Sequence, residues 1–182
     1  ERVRIERATT GWTISSTGRL SSPLDVVNHR FELRYDTNWR PLELRIDATV
    51  KGQPYSLHTT FNDNSATSRI RQAGQTSTRT DSVSAETLVL PNNLFGAYWA
   101  LIARLSAAEA GAALPVYVAP LGEITARLNG FSDDEIQTPA ELIKARRYKV
   151  TFLNPGLPLE TEIWVDANHR LLRVRIPAAS LD

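Results

Sequence analysis

The sequence predicts a mainly β protein, in which a strongly curved antiparallel sheet or half-barrel of roughly 10–12 strands wraps around a single long helix. Apolar and polar residues alternate with a period of two over most of the chain, which is typical of half-buried strands. Long helical periodicity is confined to residues 91–110. No repeat or linker interrupts the pattern, so we expect one domain spanning residues 1–182, with its central helix at residues 92–109.

The clearest strand signal is a hairpin at residues 30–50. Apolar and charged residues alternate in both strands, and residues 36–41 form the predicted turn. Opposite charges then face each other in every outward pair, which disfavours a slip by one residue. The predicted outward pairs are Arg34–Glu43, Glu32–Arg45 and Arg30–Asp47, and the predicted inward pairs are Tyr35–Leu42, Leu33–Leu44 and Phe31–Ile46.

Further strands are expected on both sides of this hairpin. Residues 21–23 (SSP) predict a loop before it, and a turn at residues 51–54 places Val50 opposite Tyr55 and Asp47 beside His58. The polar residues 66–82 predict either a wet edge of the sheet or one rim of an opening.

A last hairpin is predicted at residues 159–176, across a turn at residues 166–169. Alternation again sets apolar residues on one face and charged residues on the other. The predicted pairs are Ile163–Leu172, Thr161–Val174, Leu159–Ile176, Glu162–Arg173, Glu160–Arg175 and Trp164–Leu171.

The predicted helix is apolar on nearly every face, so we expect it to be enclosed, with Trp99 and Leu101 largely buried. Asn92 or Asn93 can cap its start, and Gly111 lies past its end. The apolar run is shorter than the roughly 20 residues that a transmembrane helix needs, so no transmembrane segment is predicted.

The composition of the chain excludes several kinds of site and function. The net charge is +1, from 21 basic and 20 acidic residues, which gives no long-range field for nucleic acid. The chain has no Cys, so disulfides, thiolate metal sites and cysteine nucleophiles are excluded. It also has no Met although translation starts with Met, so we expect the native start to be missing, either trimmed or removed with a signal peptide.

No catalytic residue, cofactor or metal site is predicted. The motifs of hydrolase elbows, phosphate loops and dinucleotide sites are absent, and the three histidines are scattered. Arg30, Asp47 and His58 are expected side by side on the solvated face, where we interpret them as a surface charge ladder. The acidic residues 133–135 lack the alternating oxygen ligands of a calcium loop.

The aromatic residues give the one candidate binding site. The pattern places six of them between helix and sheet, where they form either ordinary core or a partly open groove for an apolar ligand. Trp39 and Trp164 are expected in a loop and on an outer face, as partner contacts or as loop covers. The six candidate ligand-binding residues are Trp12, Phe95, Tyr98, Trp99, Tyr117 and Tyr148.

Four segments carry a family resemblance: residues 138–140 (TPA), 143–148 (IKARRY), 164–166 (WVD) and 170–174 (RLLRV). They resemble an uncharacterised bacterial cell-envelope family of half-barrel domains, similar to periplasmic lipoprotein-carrier half-barrels. The resemblance implies a periplasmic or extracellular protein that binds a partner or a hydrophobic ligand, and it supplies no catalytic residues. Similar domains also look like the amino-terminal partners of secreted serine hydrolases.

Two functions therefore compete. The first is a non-catalytic exported β domain that binds a protein partner or an adjacent domain of its parent protein, such as a secreted hydrolase. The alternative is a carrier that holds an acyl chain or another apolar ligand between sheet and helix. An enzyme ranks last, because titratable groups do not cluster at inward positions.

Overall fold

The computed structural model of the chain describes residues 1–21, 24–92 and 94–179. The protein is mainly β, with 64% strand and one short helix, which confirms the predicted class. The second of its sheets is curled into a half-barrel, whereas the predicted single sheet is wrong, because the described strands divide between two sheets. Ser22 and Pro23 of the predicted loop and the proposed cap Asn93 lie outside the described residues.

The first sheet has seven strands in the order β1-β2-β3-β4-β5-β6-β7, each paired with its sequence neighbour. At one edge, every residue of β7 except Asp81 is exposed, in agreement with the expected wet edge. The strands are β1 (Arg2–Ala8), β2 (Gly11–Leu20), β3 (Val26–Tyr35), β4 (Pro41–Val50), β5 (Gln53–Asn62), β6 (Ser65–Gln72) and β7 (Gln75–Ser82).

The second sheet has six strands in the order β13-β12-β11-β10-β9-β8. The strands are β8 (Leu88–Val89), β9 (Ala113–Val118), β10 (Gly122–Gln137), β11 (Leu142–Leu153), β12 (Leu159–Val165) and β13 (Leu171–Arg175).

The chain divides into two compact units. The first unit comprises Glu1–Ala97 and Tyr117–Glu123, and the second unit comprises Tyr98–Val116 and Ile124–Asp182. The single domain of residues 1–182 stays a prediction, because two compact units can belong to one domain.

The register of the β3–β4 hairpin is confirmed. All three predicted outward pairs and the inward pairs of Phe31 and Leu33 form as expected. Only the turn end differs, because the Asp36 N–H bonds to the Arg40 carbonyl at 2.9 Å and closes the loop early. A bulge at that point sets Tyr35 opposite Pro41 instead of Leu42.

The β4–β5 register is shifted by two residues from the prediction. The connection is a two-residue turn of Lys51 and Gly52, both with positive φ (48° and 77°), and Val50 faces Gln53. This is the tight hairpin geometry whose twist matches that of paired strands. The predicted four-residue turn and the Val50–Tyr55 pair are therefore wrong.

The shift changes the charge ladder on the outer face. His58 lies opposite Arg45 instead of beside Asp47, and its Nε2 is 2.7 Å from Glu43 Oε1. Burial of Glu43 opposes its ionisation, but hydrogen bonds from Arg45 and His58 outweigh burial and hold the Glu43 pKa below its ordinary value. Of the predicted ladder, Arg30 and Asp47 pair as expected, but His58 instead joins a charge cluster centred on Glu43.

The β12–β13 hairpin is also shifted by two residues. Ile163 faces Val174 instead of Leu172, and the predicted Trp164–Leu171 pair is wrong. The cause is the connection between the strands. The loop has five residues, 166–170, instead of the predicted four, and a bulge between residues 164 and 165 adds a further residue of offset. Trp164 faces Arg173, whose guanidinium carbon lies 5.1 Å from the indole centroid, and it is buried (5% exposed).

The predicted long helix at residues 92–109 is wrong. A 3₁₀ helix, Phe95–Ala97, leads into an α-helix, α1 (Tyr98–Leu105), for a total of 11 residues. The start is capped from a distant part of the first unit, because Glu1 Oε2 accepts hydrogen bonds from the N–H groups of Phe95 (2.9 Å) and Gly96 (3.2 Å). Ser16 Oγ donates to the other oxygen of this carboxylate at 2.5 Å.

The helix ends early because Ser106 competes for the last turn. Its N–H and its hydroxyl both donate to the Ile102 carbonyl, at 2.9 and 2.7 Å. The next N–H groups make shorter-range turns, from Ala107 to the Arg104 carbonyl and from Ala108 to the Leu105 carbonyl. Backbone bonding by a serine side chain is a known competitor of regular helix.

The short helix is nevertheless a core element. Leu101 is 0% exposed, as predicted, whereas Trp99 is only half-buried. Within the described parts of the chain, no helix is long and apolar enough to cross a membrane.

Candidate functional site: a polar pocket in the second unit

The six predicted aromatic residues divide between the units, three in each. In the first unit, Trp12 stacks on Trp39 with ring centroids 5.5 Å apart, and it lines a cavity of about 390 Å³. Phe95 is half-buried in the 3₁₀ helix. The convergence of all six on one groove stays a prediction.

Tyr117, the third of this group, belongs to a buried polar chain in the first unit. Its ring is fully buried, and its hydroxyl donates to Asp81 Oδ2 at 2.8 Å and lies 3.3 Å from Ser68 Oγ. Ser68 in turn contacts Thr59 Oγ1 at 2.8 Å. Burial is the main cause that raises the pKa of Tyr117 to about 12. The hydroxyl is therefore a fixed structural donor.

Among the second-unit aromatics, Tyr148 lines a pocket. Its side chain is 2% exposed, and its hydroxyl lies 3.3 Å from Ser106 Oγ. Tyr98 begins α1 and is buried, which raises its pKa to about 12. Trp99 follows it, half-buried. Tyr148 thus connects the predicted set to the polar pocket of the second unit.

The pocket has a volume of about 640 Å³, within the range of sites that hold small molecules or peptide side chains. Its walls come from β10, β11, the end of β12 and the loop after β12. Four carboxylates, one lysine, one arginine and one histidine dominate the lining. The lining residues are Asp133, Asp134, Glu135, Lys144, Ala145, Arg146, Tyr148, Val165, Asp166, Ala167 and His169.

Asp166 builds the loop that forms one wall. Its Oδ1 accepts hydrogen bonds from the N–H groups of Asn168 and Arg170, both at 2.8 Å, and its Oδ2 accepts from Arg170 Nε at 2.6 Å. Burial opposes ionisation, but these bonds outweigh it and lower the Asp166 pKa. The turn places His169 in the left-handed region (φ 59°), and this conformation sets the position of its imidazole.

That imidazole joins a small cluster at the pocket wall. His169 Nδ1 lies 3.0 Å from Ser106 Oγ, which also lies near Tyr148. A Ser–His pair suggests a nucleophile with its base. The Ser106 hydroxyl proton is, however, donated to the Ile102 carbonyl at 2.7 Å, so the oxygen acts here as an acceptor for the imidazole and phenol. The cluster holds the end of α1 against the loop.

Next to the pocket, an exposed aromatic ring of β10 lies under a cation of the pocket lining. Phe131 is 51% exposed, and the Arg146 guanidinium carbon lies 5.2 Å from its centroid. Arg146 Nε is 3.6 Å from Asp133 Oδ1, and the Phe131 ring lies 6.0 Å from that of Tyr148. An exposed aromatic ring, Phe131, is therefore adjacent to a cation and a carboxylate of the pocket lining, Arg146 and Asp133.

Asp134 has a fixed role on the same strand. Its Oδ2 accepts a hydrogen bond from Trp164 Nε1 at 2.9 Å and lies 3.5 Å from Arg147 Nε. The bond from Trp164 is the main cause that lowers the Asp134 pKa, followed by the N–H of Glu135. Trp164, expected on an outer face as a partner contact or a loop cover, is thus a buried support for this wall.

Sequence reasoning missed this pocket, although a short repeat points to it. Residues 36–40 (DTNWR) and 166–170 (DANHR) share the pattern Asp-x-Asn-x-Arg, and both loops bond the first carboxylate to the same two N–H groups. Trp39 (φ 64°) and its counterpart His169 (φ 59°) both lie in the left-handed region. The repeat went unrecognised because it covers only five residues.

The two copies of this turn differ in what surrounds them. In the first unit, the strand position beside the turn holds Trp12, which stacks on Trp39 and lies 5.1 Å under the Arg7 guanidinium carbon. In the second unit, the corresponding positions hold Arg146 and His169. Arg146 and His169 thus stand where the first unit has the stacked pair Trp12 and Trp39. The pocket beside them is larger, at about 640 Å³ against about 390 Å³ for the cavity that Trp12 lines.

Titratable groups elsewhere in the described ranges do not assemble a metal site: no group of three or more His, Asp or Glu side chains suitable for a metal ion is found there. The other two histidines contact Thr49 (from His29, 2.9 Å) and Glu43 (from His58).

No protein-family model and no curated protein matches the chain. Among solved structures, the chain is similar to a DUF1089 family protein from Pseudomonas aeruginosa, with a TM-score of 0.47 and 13% sequence identity. The alignment covers 96% of this chain and 88% of that protein.

Proposed function

We propose that the chain is a non-catalytic binding module, and that the second-unit pocket holds a segment of a protein partner or of an adjacent domain of its parent protein. The observation that supports this most is the exposed Phe131 ring, which lies next to the pocket beneath the lining residue Arg146, itself 3.6 Å from Asp133. Aromatic residues and arginine are enriched where proteins bind each other, and they supply most binding hot spots.

The charges of the lining favour a peptide over an acyl chain. The pocket contains four carboxylates together with Lys144, Arg146 and His169. A peptide segment carries donors, acceptors and charges of its own that replace the water on these groups. An acyl chain would remove that water and return no hydrogen bonds, which costs free energy for every charged group that it covers. The alternative of an apolar-ligand carrier stays a prediction.

The bonding of the Ser–His cluster supports a non-catalytic role. A serine nucleophile needs its hydroxyl hydrogen directed at the base that removes it. Here the Ser106 hydroxyl donates to the Ile102 carbonyl at 2.7 Å. We also propose export to the periplasm or the extracellular space, which rests on the family resemblance alone.

A peptide-display selection on the immobilised full chain tests the binding role. The selected peptides, labelled with a fluorophore, are titrated by anisotropy against Phe131→Ala and Arg146→Ala. We expect both variants to weaken binding about tenfold or more, as hot-spot truncations do. Leu157→Ala is the matched control, because Leu157 is 88% exposed and lies in the connection between β11 and β12, which supplies no residue to the pocket lining.

Equal affinity of the two pocket variants and the wild type would contradict the proposal. A chain that selects no peptide but takes up a fluorescent fatty acid would support the carrier instead.

A further inference from the structure

The first strand of the first sheet has an open edge. β1 pairs with β2 on one side and stands at the end of the strand order, so its outward N–H and C=O groups face no other described strand. All seven of its residues are exposed, including Val3 (41%) and Ile5 (37%). Such an edge is a template for a further strand.

The sequence of β1, RVRIERA, is complementary to itself when two copies run antiparallel. With Ile5 opposite Ile5 of the second copy, Arg4 lies opposite Glu6 of the second copy, and the reverse pair forms by symmetry. Opposite charges facing each other across strands stabilise a pair, and like charges destabilise it. Centring the pair on Arg4 or on Glu6 instead would set identical charges face to face.

Arg4 and Glu6 are already placed for this arrangement. They project from the same face of β1, and their side chains form an ion pair of 2.7 Å while remaining 75% and 54% exposed. Two copies would bring these four charges together with alternating sign. Val3 and Ile5 lie on the other face, where the second copy would cover their exposed surface.

We infer that β1 is a self-association surface, and that its partner is β1 of a second copy of this chain, antiparallel and centred on Ile5. The contact joins two seven-stranded sheets edge to edge. A seven-residue strand is about 23 Å long, and its contact is small beside the roughly 1,600 Å² of a standard interface. The dimer is therefore reversible and depends on protein concentration.

Analytical ultracentrifugation of the full chain over a wide concentration range tests this inference. The expected result is a monomer–dimer equilibrium that Glu6→Arg and Arg4→Glu each weaken about tenfold or more, because each puts like charges opposite each other. The double variant Arg4→Glu/Glu6→Arg restores opposite charges in every pair and should recover dimerisation. Thr78→Arg, on the exposed strand at the other edge of the same sheet, is the matched control and should leave the equilibrium unchanged.

A wild type that stays monomeric at the highest concentration would overturn the inference, as would a double variant no better than the single ones. Hydrogen exchange of the wild type gives a check that needs no variant. The amides of residues 2–8 should exchange more slowly as concentration rises, and rates independent of concentration would contradict the pairing. The pocket proposal does not depend on either result, because it concerns the second unit.

Discussion

Replacing Asp166 by alanine should destabilise the second unit and disorder its pocket wall. The carboxylate accepts two backbone hydrogen bonds of 2.8 Å, and hydrogen bonds to a charged group contribute about 1.5–3 kcal/mol each. The freed N–H groups regain water in an exposed turn, so the lower end of that range applies to each. The ion pair to Arg170 adds only about 0–1 kcal/mol, because that side chain is 75% exposed.

These contributions give an expected loss of about 3–4 kcal/mol in the free energy of unfolding, measured by urea denaturation at pH 7. Because the folded-state pKa of Asp166 is lowered, its contribution is fully present above the unfolded value of about 3.9. The contribution is lost as pH falls through the lower folded value. The difference between wild type and variant should therefore shrink below about pH 4.

Asp36→Ala is the matched control, since Asp36 makes the same two backbone bonds in the first unit, at 2.7 and 2.9 Å. It should also lower stability, but it should leave peptide binding at the second-unit pocket intact, whereas Asp166→Ala weakens it. An Asp166→Ala protein as stable as the wild type at pH 7 would refute the reasoning.

Three further changes test other parts of the structure. Leu101→Ala should cost about 2–5 kcal/mol by urea denaturation, because Leu101 is fully buried; a loss below this range would mean that the helix is not core. Tyr117→Phe should cost about 1–3 kcal/mol, because Asp81 loses a buried donor, and no change would contradict the polar chain. Ser106→Ala and the wild type should both hydrolyse p-nitrophenyl acetate at the uncatalysed rate, and faster turnover by the wild type would contradict a non-catalytic pocket.

The sequence predicted a strand register correctly only where the residues on both faces of a hairpin restricted the possible pairings. At β3–β4, opposite charges outside and apolar residues inside specified one pairing, and the structure has it. At β4–β5 and β12–β13 the face of each strand was right but the register was two residues off. A shift by two keeps every side chain on its own face, so alternation cannot detect it, and turn geometry decides. Lys51-Gly52 formed a two-residue turn, which the prediction did not use.

The helix length and the pocket depended on contacts between residues far apart in the chain. Apolar periodicity extended the helix to residue 109, but a serine hydroxyl ended it and a carboxylate 94 residues away capped its start. The pocket residues, such as Arg146 and Asp133, appear in sequence as ordinary strand charges. The one sequence feature that marks the position of the pocket is the repeated Asp-x-Asn-x-Arg turn, which has histidine in one copy and tryptophan in the other.

Hydrogen–deuterium exchange of the full chain, with and without a selected peptide, tests the central claim most directly. Binding at the second-unit pocket should slow exchange in residues 133–135, 144–148 and 165–169, the segments that contain its lining residues. Amides of the first-unit turn at residues 36–40 should exchange at unchanged rates. Protection confined to other segments, with these three unchanged, would contradict the claim that this pocket is the binding site.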